Sequence, residues 1–182
     1  NSGDLGRLDA DGYLWITGRD KDLIIRGGHN IDPMVIEEAM RSHPEVMQAV
    51  AVGKPDAHAG ELPVAYVQLR ASAITSEQEL AEFLKQEISE RAALPKHIRI
   101  IEQMPLTAVG KIFKPALKNL EIRDALTAAL TQANVNLLAL TIEDDKTRGT
   151  LIHAVVKSTN DEVNAKLVLG QFPFAFVIVC NE

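Results

Sequence analysis

Cysteine is almost missing from this sequence: Cys180 is the only one in 182 residues. A lone cysteine closes no intramolecular disulfide and supplies no thiolate cluster for a metal. A reducing, cytoplasmic setting is therefore expected, with Cys180 a buried or terminal thiol. Long apolar runs are also lacking. None reaches the roughly 18 to 20 residues that would cross a bilayer as a helix, and the longest, Phe172 to Cys180, reads as a buried strand. No charged-then-apolar signal pattern opens the chain. Positive charge is not in excess: 19 basic residues stand against 25 acidic, a net charge of −6. That excludes a general nucleic-acid surface, which needs clustered basic charge, but leaves room for a local phosphate site. The histidines His29, His43, His58, His97 and His153 show no metal-ligand spacing. Gly110-Lys111 is followed by Ile112 and has no preceding glycine, so it is not a Walker-type phosphate loop. No Gly-x-Ser-x-Gly nucleophile turn occurs, nor any internal repeat or low-complexity tract.

What remains is ordinary for a globular protein, with 46% hydrophobic and 24% charged residues. The length suits one domain or two small ones. The chain opens inside what reads as a loop, which suggests a fragment.

The pattern along the chain predicts an α+β fold: a small mixed sheet with flanking helices and an N-terminal β-hairpin, followed by a C-terminal β-β-α-β appendage. Asp9-Ala-Asp-Gly12 is a turn signal between Leu5–Leu8 and Tyr13–Thr17, which gives the hairpin. Leu23-Ile24-Ile25 is a short apolar run that meets Gly27-Gly28. Asp32 is a good N-cap, and Pro33 sits where its missing N–H costs nothing. Val35, Ile36, Ala39 and Met40 then form one helical stripe, ended by Pro44. Val46–Val52 and Val64–Leu69 read as strands joined by a loop over 53–60. Ser76 and Glu79 form a capping box ahead of a helix that buries Leu80, Phe83, Leu84 and Ile88. Ile98–Ile101 reads as a third strand, and a helix begins near Lys114. A division at 132/133 is expected. Beyond it, Leu137–Ile142 and Thr150–Val156 are β-like, 160–169 suits a helix and 172–179 a final strand.

A few residues can carry chemistry. Lys111 lies in the turn-prone segment Pro105-Leu-Thr-Ala-Val-Gly110-Lys111-Ile112. A lysine is a compact cation on a flexible stem, and Gly110 lets backbone approach a ligand closely. Such a cation can stabilise charge that accumulates at a phosphorus centre in a transition state, or it can be an exposed turn lysine. Asp4, on a glycine-framed turn, can accept both hydroxyls of a ribose, or simply cap backbone N–H groups. Arg19 follows a strand and a glycine. Its guanidinium suits ribose or phosphate oxygens, or an exposed ion pair with Asp20 or Asp22, which contributes little. Lys21 alone reads as a solvated loop residue. Gly27-Gly28 can admit a ligand against bare backbone or form a tight turn.

Taken together, these segments resemble the C-terminal domain of the adenylate-forming superfamily, which includes acyl-CoA synthetases, peptide-synthetase adenylation domains and firefly luciferase. Ser2-Gly3-Asp4-Leu5-Gly6 resembles the family's ribose motif. Gly18-Arg19-Asp-Lys21-Asp-Leu-Ile-Ile-Arg-Gly27-Gly28-His-Asn-Ile31 resembles the hinge motif, with Glu37-Glu38 in the helix that follows. Leu94-Pro95-Lys96-His97 resembles the short motif between hinge and loop, and the Lys111 segment resembles the catalytic-lysine motif. The match covers about residues 1–120 and is most similar to bacterial fatty-acyl-CoA synthetase-type members.

The resemblance implies an AMP-forming acid–thiol ligase that uses ATP, Mg2+ and CoA on a carboxylic acid, expected to be a fatty acid. Lys111 would be catalytic, Asp4 and Arg19 nucleotide-binding, Lys21 the hinge, and Gly27 and Gly28 the CoA contact. Residues 1–132 would be the C-terminal domain and 133–182 an extension. In the family, the phosphate loop, the Mg2+-binding glutamate and the acyl pocket lie ahead of the ribose motif, so the partner would be an N-terminal domain of the same enzyme. Some relatives carry a lysine where Ile25 stands and an arginine where Asn30 stands. Two other readings remain: an adenylating enzyme that loads a carrier protein, and a non-catalytic α/β interaction module that assembles through 137–179.

Overall fold

The computed structural model describes residues 3–145 and 147–181; for Asp4, Leu5, Ile16, Thr17 and Asp20 it describes the backbone alone. The fold is α+β, as the sequence predicts, with four helices and mixed sheets among the described residues. Two compact units divide the chain. The first comprises 1–53 and 61–114, the second 54–60 and 115–182.

The first unit opens with the expected hairpin, β1 (Asp4–Leu8) against antiparallel β2 (Leu14–Arg19). Asp9 explains the turn. Its carboxylate accepts the Asp11 and Tyr13 N–H groups at 3.0 and 2.9 Å and the Trp15 indole N–H at 2.7 Å. The indole bond, then the Tyr13 N–H, holds this carboxyl below its ordinary pKa.

The main sheet has five strands: β3 (Ile24–Arg26), β4 (His29–Ile31), β5 (Val46–Asp56), β6 (Gly60–Leu69) and β7 (His97–Ile100). Its order is β4-β3-β6-β5, and β7 pairs with β6 in parallel. Helix α1 (Pro33–Arg41) starts where Asp32 accepts the Met34 N–H, and α2 (Glu77–Glu87) starts at the complete Ser76–Glu79 capping box. Ile24, Ile31, Ile36, Met40, Val67, Leu80 and Leu84 form the core of this unit.

Three details differ from the sequence reading. The connection is shorter than the loop expected over 53–60: β5 runs to Asp56 and β6 starts at Gly60, which leaves 57–59 as the turn between them. Gly53 makes room there: a Cβ would stand 2.5 Å from the Glu61 side chain, which lies across it. Strand β4 is an addition, three residues long and too short to show a period. Helix α1 buries Pro33, Ile36, Glu37 and Met40, while Val35 is exposed. The buried face is thus turned toward Glu37, for a reason described below.

The second unit contains α3 (Lys114–Gln132) from Pro115 onward, β8 (Leu137–Asp145), β9 (Gly149–Val156), α4 (Thr159–Leu169) and β10 (Ala175–Cys180). The β-β-α-β order is as expected. β9 is the middle strand, antiparallel to β8 and parallel to β10. Ile122, Leu126 and Leu130 of α3 pack with Ile152, Ala154, Val156, Ala165 and Leu169. β10 is an edge strand and is half-exposed, not fully buried as its run of apolar residues suggested. Asp161 ties the unit together: it accepts the Asn136 N–H at 2.9 Å and the Ser158 hydroxyl at 2.6 Å, and is itself buried.

Candidate functional site

Lys111 stands on a loop that folds back on itself. Leu106 and Ile112 form an isolated antiparallel bridge, and the Phe113 N–H donates to the Pro105 carbonyl at 2.7 Å. Inside that bridge, Thr107 binds Lys111 in both directions through backbone N–H to carbonyl and backbone N–H to hydroxyl. Gly110 takes φ +77°, a value that L side chains rarely adopt, and its N–H donates to the Thr107 carbonyl at 2.9 Å. The outcome is a short, closed loop with the Lys111 side chain exposed.

Both feet of the loop are fixed. On one side Met104 is buried, and its N–H donates to Gln68 Oε1 on β6 at 3.1 Å. On the other, Lys114 Nζ lies 2.9 Å from Glu37 Oε1. That same oxygen accepts the Ala51 N–H from β5 at 3.0 Å. This is why α1 turns Glu37 inward.

A second group surrounds the end of β2. Arg19 is its last residue and pairs in register with Asp4 on β1. The Asp4 side chain and Ser2 lie outside the described residues. Lys21 follows in a 3-10 turn over Asp20–Asp22 and is exposed. A cleft of about 350 Å³ opens here, lined by Gly18, Arg19, Asp22, Asp32, Met34 and Lys114, among others. Arg19 and Lys114 share this concavity with Asp22 and Asp32, so its lining carries both signs of charge, and the Lys114 ammonium is already engaged by Glu37.

Gly27 and Gly28 form the tip of the β3–β4 hairpin, with φ +55° and +85°. Two consecutive residues in that region define the tight turn that matches strand twist. Nothing lies within 4 Å of where a Cβ would stand on either glycine, so the tip presents open backbone. The hairpin is held from behind: Arg26 Nη1 donates to the Ala92 carbonyl at 2.7 Å, and the Ile25 N–H to Glu61 Oε2 at 2.9 Å.

Of the residues singled out in the sequence, Arg19 lines the cleft, and Asp4 is its backbone register partner on β1. Lys21, Gly27, Gly28 and Lys111 belong to separate turns and are not among the cleft's lining residues. Sequence reasoning missed Thr107, Lys114 and Glu37. Thr107 carried a signal, a hydroxyl at the start of a glycine turn, and Glu37 carried only its place in the helix after the hinge motif. Among the described residues, no group of three or more His, Cys, Asp or Glu side chains is placed to hold a metal ion.

Residues 35–111 match the family described as the AMP-binding enzyme C-terminal domain. The chain is 50% identical over 167 residues to a marinolic acid–CoA ligase of Pseudoalteromonas sp., covering 91% of this chain and 25% of that protein. It is 40% identical over 119 residues to the medium-chain fatty-acid–CoA ligase of Escherichia coli, covering 64% and 21%. The ATP-bound MatB of Rhodopseudomonas palustris superposes with a TM-score of 0.64 at 31% identity, over 68% of this chain and 24% of that one. The chain thus spans about a quarter or less of the length of the curated relatives named here. The first match leaves out so little of the chain that it takes in β8 and β9, whereas the second is too short to include both units. Residues 35–111 thus belong to the C-terminal domain family of the AMP-binding enzymes, and the curated relatives named here are CoA ligases.

Proposed function

We propose that this chain is the C-terminal portion of an ATP-dependent acyl-CoA ligase that adenylates a fatty or related carboxylic acid and passes the acyl group to CoA. The observation that carries this reading is Lys111, an exposed cation on a short loop whose two feet are both anchored. In the first half-reaction a carboxylate oxygen attacks the α-phosphorus of ATP and the bond to pyrophosphate breaks. Negative charge builds on the oxygens around phosphorus, and a fixed ammonium there stabilises the transition state more than the ground state. In the second half-reaction the CoA sulfur attacks the acyl carbon, AMP leaves, and the thiol proton passes to solvent.

In this reading Arg19 and Asp4 hold the nucleotide ribose beside the cleft, and Lys21 is the hinge. Rotation about Lys21 exchanges the Lys111 loop for the Gly27-Gly28 turn, whose bare backbone suits the narrow pantetheine chain. Large closure about one or two residues is a common enzyme step. Mg2+ would neutralise the phosphates from an N-terminal domain that also supplies the acyl pocket. The fatty-acid reading draws on the similarity to the Escherichia coli ligase. A cytoplasmic setting is consistent with the half-buried, single Cys180.

The test is pyrophosphate release by the full enzyme with a panel of short to long carboxylic acids, with and without CoA. Acid-dependent release that Lys111→Ala abolishes is expected, with thioester formation from supplied acyl-adenylate retained. Equal loss in both half-reactions, or release untouched by the substitution, would overturn the assignment.

A further inference from the structure

We infer that Glu37 and Lys114 are positioning residues for the Lys111 loop, acting selectively on adenylation; the inference rests on the role of Lys111 proposed above. Glu37 is buried at 5% exposure, on the face of α1 turned toward β5. A buried carboxylate is costly unless it is paired and hydrogen-bonded. Here Oε1 takes both the Ala51 N–H at 3.0 Å and the Lys114 ammonium at 2.9 Å. The helix, the central part of β5 and the loop foot therefore meet at one oxygen.

Lys114 stands three residues after Lys111. It is the last residue of the first unit and the first of α3. The opposite foot is set by buried Met104 and its bond to Gln68. A loop pinned at both feet has few ways to move its tip. Freeing the Lys114 foot leaves the Thr107 clasp intact but lets the closed loop pivot as a body about Met104. Catalysis is sensitive to such movement, because a displacement of about 1 Å can cost roughly 100-fold in rate. The Gly27-Gly28 turn has its own anchors in Ala92 and Glu61, so thioester formation does not depend on this pair.

The experiment compares Lys114→Gln, Lys114→Arg, Glu37→Gln and Lys111→Ala in the full enzyme. Single-turnover pyrophosphate release is measured with ATP and octanoate, and thioester formation with CoA and pre-formed octanoyl-adenylate. The second half-reaction needs the same folded domain and so serves as the internal control for folding. Lys114→Gln and Glu37→Gln are expected to slow adenylation by about 10- to 100-fold and thioester formation by less than about threefold, with Lys114→Arg restoring most of the adenylation rate. A parallel fall in both half-reactions would show a merely structural pair and overturn the inference, as would full adenylation in Lys114→Gln. Unimpaired adenylation in Lys111→Ala would overturn the underlying assignment instead, so the two failures are distinct.

Discussion

Thr107 grips Lys111 on both sides of its backbone. The Thr107 N–H donates to the Lys111 carbonyl at 2.7 Å, and the Lys111 N–H donates to the Thr107 hydroxyl at 3.1 Å. The first bond needs only backbone, but the second needs a hydroxyl. Thr107→Val keeps the shape of the side chain and removes that acceptor, leaving an exposed N–H that water can satisfy. The expected result is a folded enzyme with unchanged thermal midpoint and adenylation slowed by about tenfold, measured as single-turnover pyrophosphate release. Thr107→Ser should retain the rate.

Gly28 tests the other turn. At φ +85° an alanine carries a conformational penalty of about 1–2 kcal/mol, yet its methyl group would meet nothing within 4 Å. Gly28→Ala should therefore lower the thermal midpoint by a few degrees in the enzyme without substrates. If pantetheine lies against this backbone, thioester formation from supplied acyl-adenylate falls further than adenylation does. Equal rates for the two steps, relative to wild type, would remove Gly28 from the CoA path.

Asp161 makes the second unit sensitive to acid. The Asn136 backbone N–H, then the Ser158 hydroxyl, hold its carboxyl below the ordinary pKa. A depressed folded-state pKa gives a stabilising contribution that is full above the unfolded value and disappears as pH falls through the folded one. Asp161→Asn should lower the midpoint of thermal unfolding, followed by circular dichroism, at pH 7. The gap from wild type should close as pH drops below the usual aspartate range. A gap that persists unchanged in acid would mean that shape, not charge, holds Asn136 and Ser158.

Asp9 offers a spectroscopic reading of the same principle. Trp15 is the only tryptophan, and its indole donates to Asp9 at 2.7 Å. Because this bond lowers the Asp9 pKa, the indole loses its charged acceptor only when pH falls below the usual carboxylate range. Trp15 emission should change with a midpoint lower than that of an unperturbed aspartate, and Asp9→Asn should abolish the transition. A midpoint at or above the ordinary value would contradict the hydrogen bond.

Local chemistry was the legible part of this sequence. The Asp9–Gly12 turn, Asp32 before Pro33, and Ser76 with Glu79 each satisfy backbone donors within a few residues, so each boundary shows in the sequence. The turn at Gly110 was legible for the same reason, and the β-β-α-β order showed in apolar runs set off by turn residues. Long-range duties were not. The helical stripe Val35, Ile36, Ala39 and Met40 is the apolar choice, but α1 turns Glu37 inward because its acceptors serve Ala51 and Lys114. Those partners lie in other elements, and periodicity carries no trace of them. The extension of β5 and β6 into 53–60 was hidden by Gly53 and Pro55, which read as breakers. The Glu61 side chain lying over Gly53 depends on cross-strand register, which a single strand's composition does not encode.

The middle strand of the second unit has neighbours acquired by different routes. β9 starts at Gly149, only four positions after β8 ends at Asp145, whereas β10 reaches it only by way of the α4 crossover. Closing a short turn loses less chain entropy than closing a long one, and non-local pairings form more slowly. The two seams of one sheet are therefore expected to zip in order, with β8–β9 formed first and β9 waiting on α4 for its parallel partner. Until β10 arrives, Ile152, Ala154 and Val156 sit in a strand with one bare edge, and that interval is when this unit is most exposed to pairing with the wrong strand.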